Sequence, residues 1–85
     1  LPAQLTAFEA AFSSGDRVLA ERQAHTLKGV AANVGGAALQ HVAGACESSL
    51  RDGGLDAAQH QLPDVSAAVQ ALVEAIQAYL AGRRS

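Results

Sequence analysis

The sequence predicts an all-α domain, an antiparallel bundle of four helices in up-down-up-down order. Alanine occupies 20 of the 85 positions, and with two Phe, one Tyr and no Trp the chain has few of the aromatic residues that strands favour. Apolar residues recur at helical spacing, and Gly-rich segments a few residues long separate these stretches. Short connections place successive helices antiparallel. At this length the chain fits one domain, residues 1–85.

Two helices are predicted in the first part of the chain. An apolar stripe with steps of four, three and four residues indicates a helix at about residues 2–13. The stripe consists of Leu1, Leu5, Phe8 and Phe12. Asp16 follows a Ser-Ser-Gly segment and is suited to cap a second helix at about residues 16–34. The inward stripe of that helix comprises Leu19, Ala20, Ala24, Leu27, Ala31 and Val34.

Two further helices are predicted after a Gly-Gly pair. The third is expected at about residues 37–52 and ends before a second Gly-Gly pair. Its inward face carries Leu39, Val42, Ala43, Cys46 and Leu50. The fourth is expected at about residues 55–81, with a kink or break near residues 61–64 because of Pro63. Its apolar face carries Leu55, Leu62, Val65, Val69, Leu72, Val73, Ile76 and Leu80.

Composition and charge argue against several functions. The formal net charge is −2 and the six Lys and Arg residues form no basic stripe, so we expect no nucleic-acid binding. Cys46 is the single cysteine and forms no internal disulfide, which is typical of a reducing cytoplasm. With no uninterrupted apolar run of about 18 residues and no leader peptide, we expect a cytoplasmic domain without membrane contact. The start at Leu1 rather than Met indicates a piece of a longer protein.

Four residues of the second helix share one face, because they recur at helical spacing: His25, Lys28, Gly29 and Ala32. This face points away from the apolar stripe, toward solvent or a partner. An exposed imidazole offers a neutral, nucleophilic nitrogen at cytoplasmic pH. Lys28 is the only Lys in the chain, and a cation one turn away would stabilise a phosphoryl group on the ring by up to about 1 kcal/mol. The small residues beside His25 leave room for a docked protein.

The stretch from His25 to Gly35, His-Thr-Leu-Lys-Gly-Val-Ala-Ala-Asn-Val-Gly, closely resembles the motif of bacterial histidine phosphotransfer (HPt) domains. The similarity extends over most of the chain, and its further positions are Gly15, Asp16, Leu39, Cys46, Glu47, Leu50 and Gly53. The first helix is shorter than in many family members. The resemblance implies a four-helix bundle whose His accepts phosphate from the Asp of one receiver domain and passes it to the Asp of another.

The resemblance also implies the role of each residue at the site. His25 is expected to be phosphorylated at Nε2, Lys28 to stabilise the phosphoryl group, and Gly29 with Ala32 to form the surface that a receiver approaches. Glu47 falls where family members carry Gln or Glu near the His ring, and we expect it to accept a hydrogen bond from His25 Nδ1. The receiver brings Mg²⁺, and the domain itself needs no cofactor and has no kinase activity alone.

The expected parent is a bacterial hybrid sensor histidine kinase. This domain would be a monomeric part of the cytoplasmic C-terminal region of that kinase. Its partners would be receiver domains of that kinase or of a response regulator. Two alternatives stay open: an adaptor that docks a receiver without carrying phosphate, and the HPt-like domain of a CheA-type kinase. His41 and His60 lack the Lys-Gly context and are expected to be surface residues. The three histidines lack metal-ligand spacing, so we expect no metal site.

Overall fold

The computed structural model describes the backbone of residues 2–83 and the side chains of residues 3–82. These residues form four α-helices and one 3₁₀ turn: α1 spans Pro2–Ser13, α2 Arg17–Asn33, α3 Ala37–Ala58 and α4 Leu62–Arg83, with the turn at Gln59–Gln61. No strand occurs within the described backbone. The all-α class that composition and periodicity predict is confirmed.

Local sequence explains both ends of α2. Gly15 and Gly35 have φ values of 71° and 74°, a left-handed conformation in which a Cβ would be strained, so the chain turns before and after the helix. Asp16 caps the helix, since its side chain accepts a hydrogen bond from the Leu19 amide at 3.0 Å. The bounds of α1 and α2 lie within one residue of those expected from the sequence.

The third helix, expected to end near residue 52, is followed directly by a further helical segment. Gly54 has non-helical dihedral angles (φ 82°, ψ −166°), so Ala37–Ala58 consists of two helical segments that meet at a kink, within the second Gly-Gly pair. The 3₁₀ turn Gln59–Gln61 follows directly. Pro63 lies in the first turn of α4, where its missing N–H costs no helical hydrogen bond. The kink at Gly54 lies where the sequence predicts the end of the third helix. The 3₁₀ turn lies beside the break predicted near residues 61–64.

The core lies between the helices, with α2 and α3 as the most extensive pair. α1 packs mainly on α2, and α4 packs mainly on α3. The buried apolar residues come from all four helices: Phe8, Ala11, Ala20, Ala24, Leu27, Ala31, Leu39, Ala43, Cys46, Leu50, Ala58, Val65 and Val69. Six of these thirteen residues are alanines, which allow the helix axes to approach closely. The Ala-rich composition thus serves the packing of the helices as well as their formation.

Two residues of the predicted apolar stripes are exposed. Val34 is 48% exposed because α2 ends at Asn33, and Val34 leaves the helical register. Leu80 is 50% exposed. Leu72 packs against Gly36, just before α3, and Leu80 lies about 12 Å farther along α4. Leu1, also assigned to a stripe, lies outside the described residues.

One helical stretch within the described chain is long and apolar enough, by length and composition, to cross a membrane. It is Ala37–Gly82, and its most apolar 18-residue window has a mean hydropathy of 1.2. A single such stretch is weak support for a membrane span, since helices of soluble bundles meet the same criterion. The kink at Gly54 and the 3₁₀ turn also interrupt this stretch.

Candidate functional site

His25 lies in the middle of α2, on the face that points away from the core. Its neighbours Ala24 and Leu27 are fully buried, whereas the His25 side chain is 70% exposed. Gly29 and Ala32, one and two turns farther along, are exposed as well. A Cβ added to Gly29 would meet no atom within 4 Å. The residues predicted to share a face therefore form an open strip, which a second protein could approach.

Glu47 on α3 is the one buried charged residue in the described part of the chain, and it contacts His25. The distance between Glu47 Oε2 and His25 Nδ1 is 3.0 Å. An ionised carboxylate only accepts hydrogen bonds, so His25 Nδ1 carries the proton and its N–H donates a hydrogen bond to Glu47. The other ring nitrogen, Nε2, keeps its lone pair. This contact therefore selects the tautomer in which Nε2 is the nucleophile.

Lys28 forms an ion pair with the second oxygen of the Glu47 carboxylate. Lys28 Nζ lies 3.2 Å from Glu47 Oε1, and the Lys28 side chain is 39% exposed. Burial acts to raise the pKa of Glu47, but the hydrogen bonds and charges of Lys28 and His25 outweigh burial and hold this pKa below its ordinary value of 4.5. Glu47 is thus ionised at neutral pH, as both contacts require.

Arg51 joins this network, although the sequence did not single it out as a site residue. Its Nη2 lies 3.5 Å from Glu47 Oε2, and its Nε lies 3.4 Å from Glu21 Oε1 on α2. Glu21 also lies 3.9 Å from Arg17 Nη1. Arg51 follows Glu47 by four residues, the spacing at which opposite charges meet on a helix, so this signal was present in the sequence. The network ties α2 to α3 beside His25.

The other candidate residues lie apart from this network. His41 on α3 and His60 in the 3₁₀ turn are exposed. Cys46 is fully buried, and burial raises the pKa of its thiol to about 11, so it packs as a small apolar residue. No group of three His, Cys, Asp or Glu residues within the described range could hold a metal ion. Of the three histidines and Cys46, His25 is therefore the one that belongs to the network.

Comparison with known proteins agrees with this geometry. A family model described as the Hpt domain matches residues 1–79. The match includes the strip on α2 and both members of the His25–Glu47 contact. The searches of curated proteins and of solved structures gave no significant match. The chain therefore belongs to the Hpt domain family, whose members have a phosphotransfer role in two-component signalling.

Proposed function

We propose that the chain is a phosphorelay intermediate, in which His25 accepts a phosphoryl group from the Asp of one receiver domain and transfers it to the Asp of another. The observation that carries this proposal is the His25–Glu47 contact. The ring is exposed, while its Nδ1 donates to Glu47 at 3.0 Å, so the second nitrogen is free to react. The family match supports the same chemistry.

In the first transfer, the lone pair of His25 Nε2 attacks the phosphorus of the aspartyl phosphate. A P–N bond forms while the P–O bond to the Asp carboxylate breaks, and the bonding pair leaves with that carboxylate. Nε2 bears no proton, so no base has to remove one. The phosphorylated ring keeps its Nδ1 proton and becomes cationic, and the Glu47 carboxylate stabilises this charge. The second transfer reverses these changes.

Lys28 and the open strip supply the remaining parts of the proposed site. Lys28 lies one turn from His25, and its ammonium group stabilises the phosphoryl oxygens by up to about 1 kcal/mol at this partly exposed position. Gly29 and Ala32 leave space for the receiver beside the ring. In this proposal the receiver brings Mg²⁺ and the groups that activate its own Asp, and the domain has no kinase activity alone.

We also propose the up-down-up-down arrangement for the four helices. Leu72 lies against Gly36, just before α3, while Gln61 and Asp64 line a surface hollow with His41. From its start near His41, α4 thus runs toward the beginning of α3. The two helices therefore run in opposite directions, which supports an antiparallel pair. The proposed setting is a monomeric domain of residues 1–85 in the cytoplasm, within a bacterial hybrid sensor kinase, that binds receiver domains and no nucleic acid.

The test is the transfer of label to the purified chain from a receiver domain charged with radioactive phosphate. We expect acid-labile, alkali-stable label on the wild-type chain, as phosphohistidine gives, and none on His25→Gln. His41→Gln is the matched control and keeps the label, since His41 is also exposed but lies on α3 outside the network. Label that persists on His25→Gln would refute the proposal.

The same variant separates the alternatives. If His25→Gln retains function in cells, the chain is a docking adaptor and not a phosphate carrier. A third outcome is that an ATP-binding domain of the parent polypeptide labels the wild-type chain and that no receiver does. The chain is then the HPt-like domain of a CheA-type kinase and not a relay intermediate.

A further inference from the structure

Gly44 lies within α3 at a position where the backbone does not require glycine. The glycines with positive φ in the described chain are Gly15, Gly35 and Gly54, and Gly44 is not among them. Glycine is less favourable than alanine inside a helix, because it loses more conformational freedom on folding. A contact outside the α3 backbone is therefore needed to explain the absence of a side chain here.

That contact is made by Lys28. A Cβ built on Gly44 would lie 3.3 Å from Lys28 Cδ, the one atom near it outside the helix's own backbone and chain neighbours. Carbon atoms prefer separations of about 3.5–4.0 Å, so a methyl group at Gly44 would displace the Lys28 stem. The neighbour is a side chain and not the backbone of α2, so close approach of the two helices does not explain the glycine.

The position of Gly44 on α3 connects it with the carboxylate. Gly44 precedes Glu47 by three residues and shares its face of the helix. Helical side chains lean toward the N-terminus, so the Glu47 side chain leans back over the turn that contains Gly44. The Lys28 stem thus crosses α3 at Gly44, and its ammonium group reaches Glu47 Oε1 at 3.2 Å. Gly29 differs, because the space above it is open.

We propose that Gly44 is a positioning residue of the phosphotransfer site, since the absence of a side chain there lets Lys28 lie across α3 with its ammonium group beside Glu47, one turn from His25. This inference rests on the proposed role of His25 and Lys28. A Cβ at Gly44 would require the Lys28 stem to shift by a few tenths of an ångström, and we expect this shift to weaken the contact of the ammonium group with Glu47.

The test compares Gly44→Ala, Lys28→Met and the double variant. The measured quantity is the rate at which phosphoramidate, a small phosphoryl donor that needs no receiver, phosphorylates His25. We expect Gly44→Ala to slow this reaction by about two- to five-fold and Lys28→Met by at least as much. In the Lys28→Met background, Gly44→Ala causes no further change, because its effect is transmitted through Lys28. A wild-type rate for Gly44→Ala, or effects that multiply in the double variant, would overturn the inference.

A second measurement needs no phosphate, and so separates this inference from the proposed function. Lys28 helps to lower the pKa of Glu47, so displacement of Lys28 in Gly44→Ala should raise this pKa toward its ordinary value in a carbon-13 NMR titration. An unchanged Glu47 pKa overturns the positioning role. If the wild-type chain cannot be phosphorylated, the function of His25 is refuted, and the titration still decides the role of Gly44.

Thermal unfolding serves as the control that each variant is folded. Ala is the better helix former, so we expect Gly44→Ala to be at least as stable as the wild type. Ser48→Ala is the matched control, because Ser48 is exposed on α3 and the change also favours the helix. It should keep the wild-type phosphorylation rate. A slower rate in Ser48→Ala would assign the effect to helix stability and overturn the inference.

Discussion

Replacement of Glu47 by Gln should destabilise the domain at neutral pH and much less at acidic pH. Glu47 contacts three groups, in His25, Lys28 and Arg51, whose side chains are 70%, 39% and 59% exposed. Each contact with such an exposed partner contributes about 0.2–1 kcal/mol, so loss of the Glu47 charge should cost about 1–2 kcal/mol in the free energy of unfolding at pH 7. For a domain of this size, each 1 kcal/mol lowers the Tm by about 4–8 °C.

The pH dependence follows from the direction of the pKa shift. Folding lowers the pKa of Glu47, so its ion pairs stabilise the fold above pH 4.5, the ordinary value, and this stabilisation is lost as the pH falls through the lower pKa of the folded state. Protonated Glu and Gln are both neutral and similar in shape. The Tm difference between wild type and Glu47→Gln should therefore shrink as the pH falls from about 7 to about 3.

The assay is thermal unfolding followed by circular dichroism across that pH range. Glu9→Gln, an exposed change on α1, is the control, and we expect it to alter stability by less than about 0.5 kcal/mol. Equal stability of wild type and Glu47→Gln at pH 7 would refute the reasoning. A Tm difference of constant size from pH 7 to the acidic end would also refute it, because the loss would then come from packing and not from charge.

Two further predictions concern α2 and the core. Asp16→Ala should lower the free energy of unfolding by about 1 kcal/mol in urea titrations, because it removes the side chain that caps α2, while Asp16→Asn keeps the cap. An equal loss in both variants would contradict the role of Asp16 as a cap. Cys46 should react slowly with iodoacetamide at pH 8, where a pKa of about 11 leaves about one thiol in a thousand ionised. Equal reaction rates for the native chain and for the chain unfolded in urea would show that Cys46 is not protected.

The sequence by itself was sufficient for features that depend on residues within one or two helical turns. Gly15 and Gly35 bound α2, and Asp16 caps it, because these effects act through neighbouring backbone groups. The common face of His25 and Gly29 follows from helical spacing alone. The family motif predicted that His25 carries the chemistry. The sequence also indicated the all-α class, since Ala-rich, periodic segments separated by glycines favour helices.

The packing of the helices decided which distant residues meet. Val34 and Leu80 continue the apolar patterns but are exposed. α2 ends before Val34, and Leu80 lies on α4 about 12 Å beyond Leu72, which packs against Gly36. The family resemblance predicted an interaction between Glu47 and His25, while only the packing of α3 on α2 brings the two atoms to 3.0 Å and adds Arg51. The contact between Lys28 and Gly44 has no signal in the spacing of either helix.

Local sequence therefore determined which helices form and which residue faces outward on α2, because backbone hydrogen bonding and side-chain periodicity act over short distances. The tertiary structure decided how the carboxylate, the ammonium group and the imidazole are arranged, because 22 residues separate His25 from Glu47 along the chain. Their distances depend on how closely two Ala-rich helices pack.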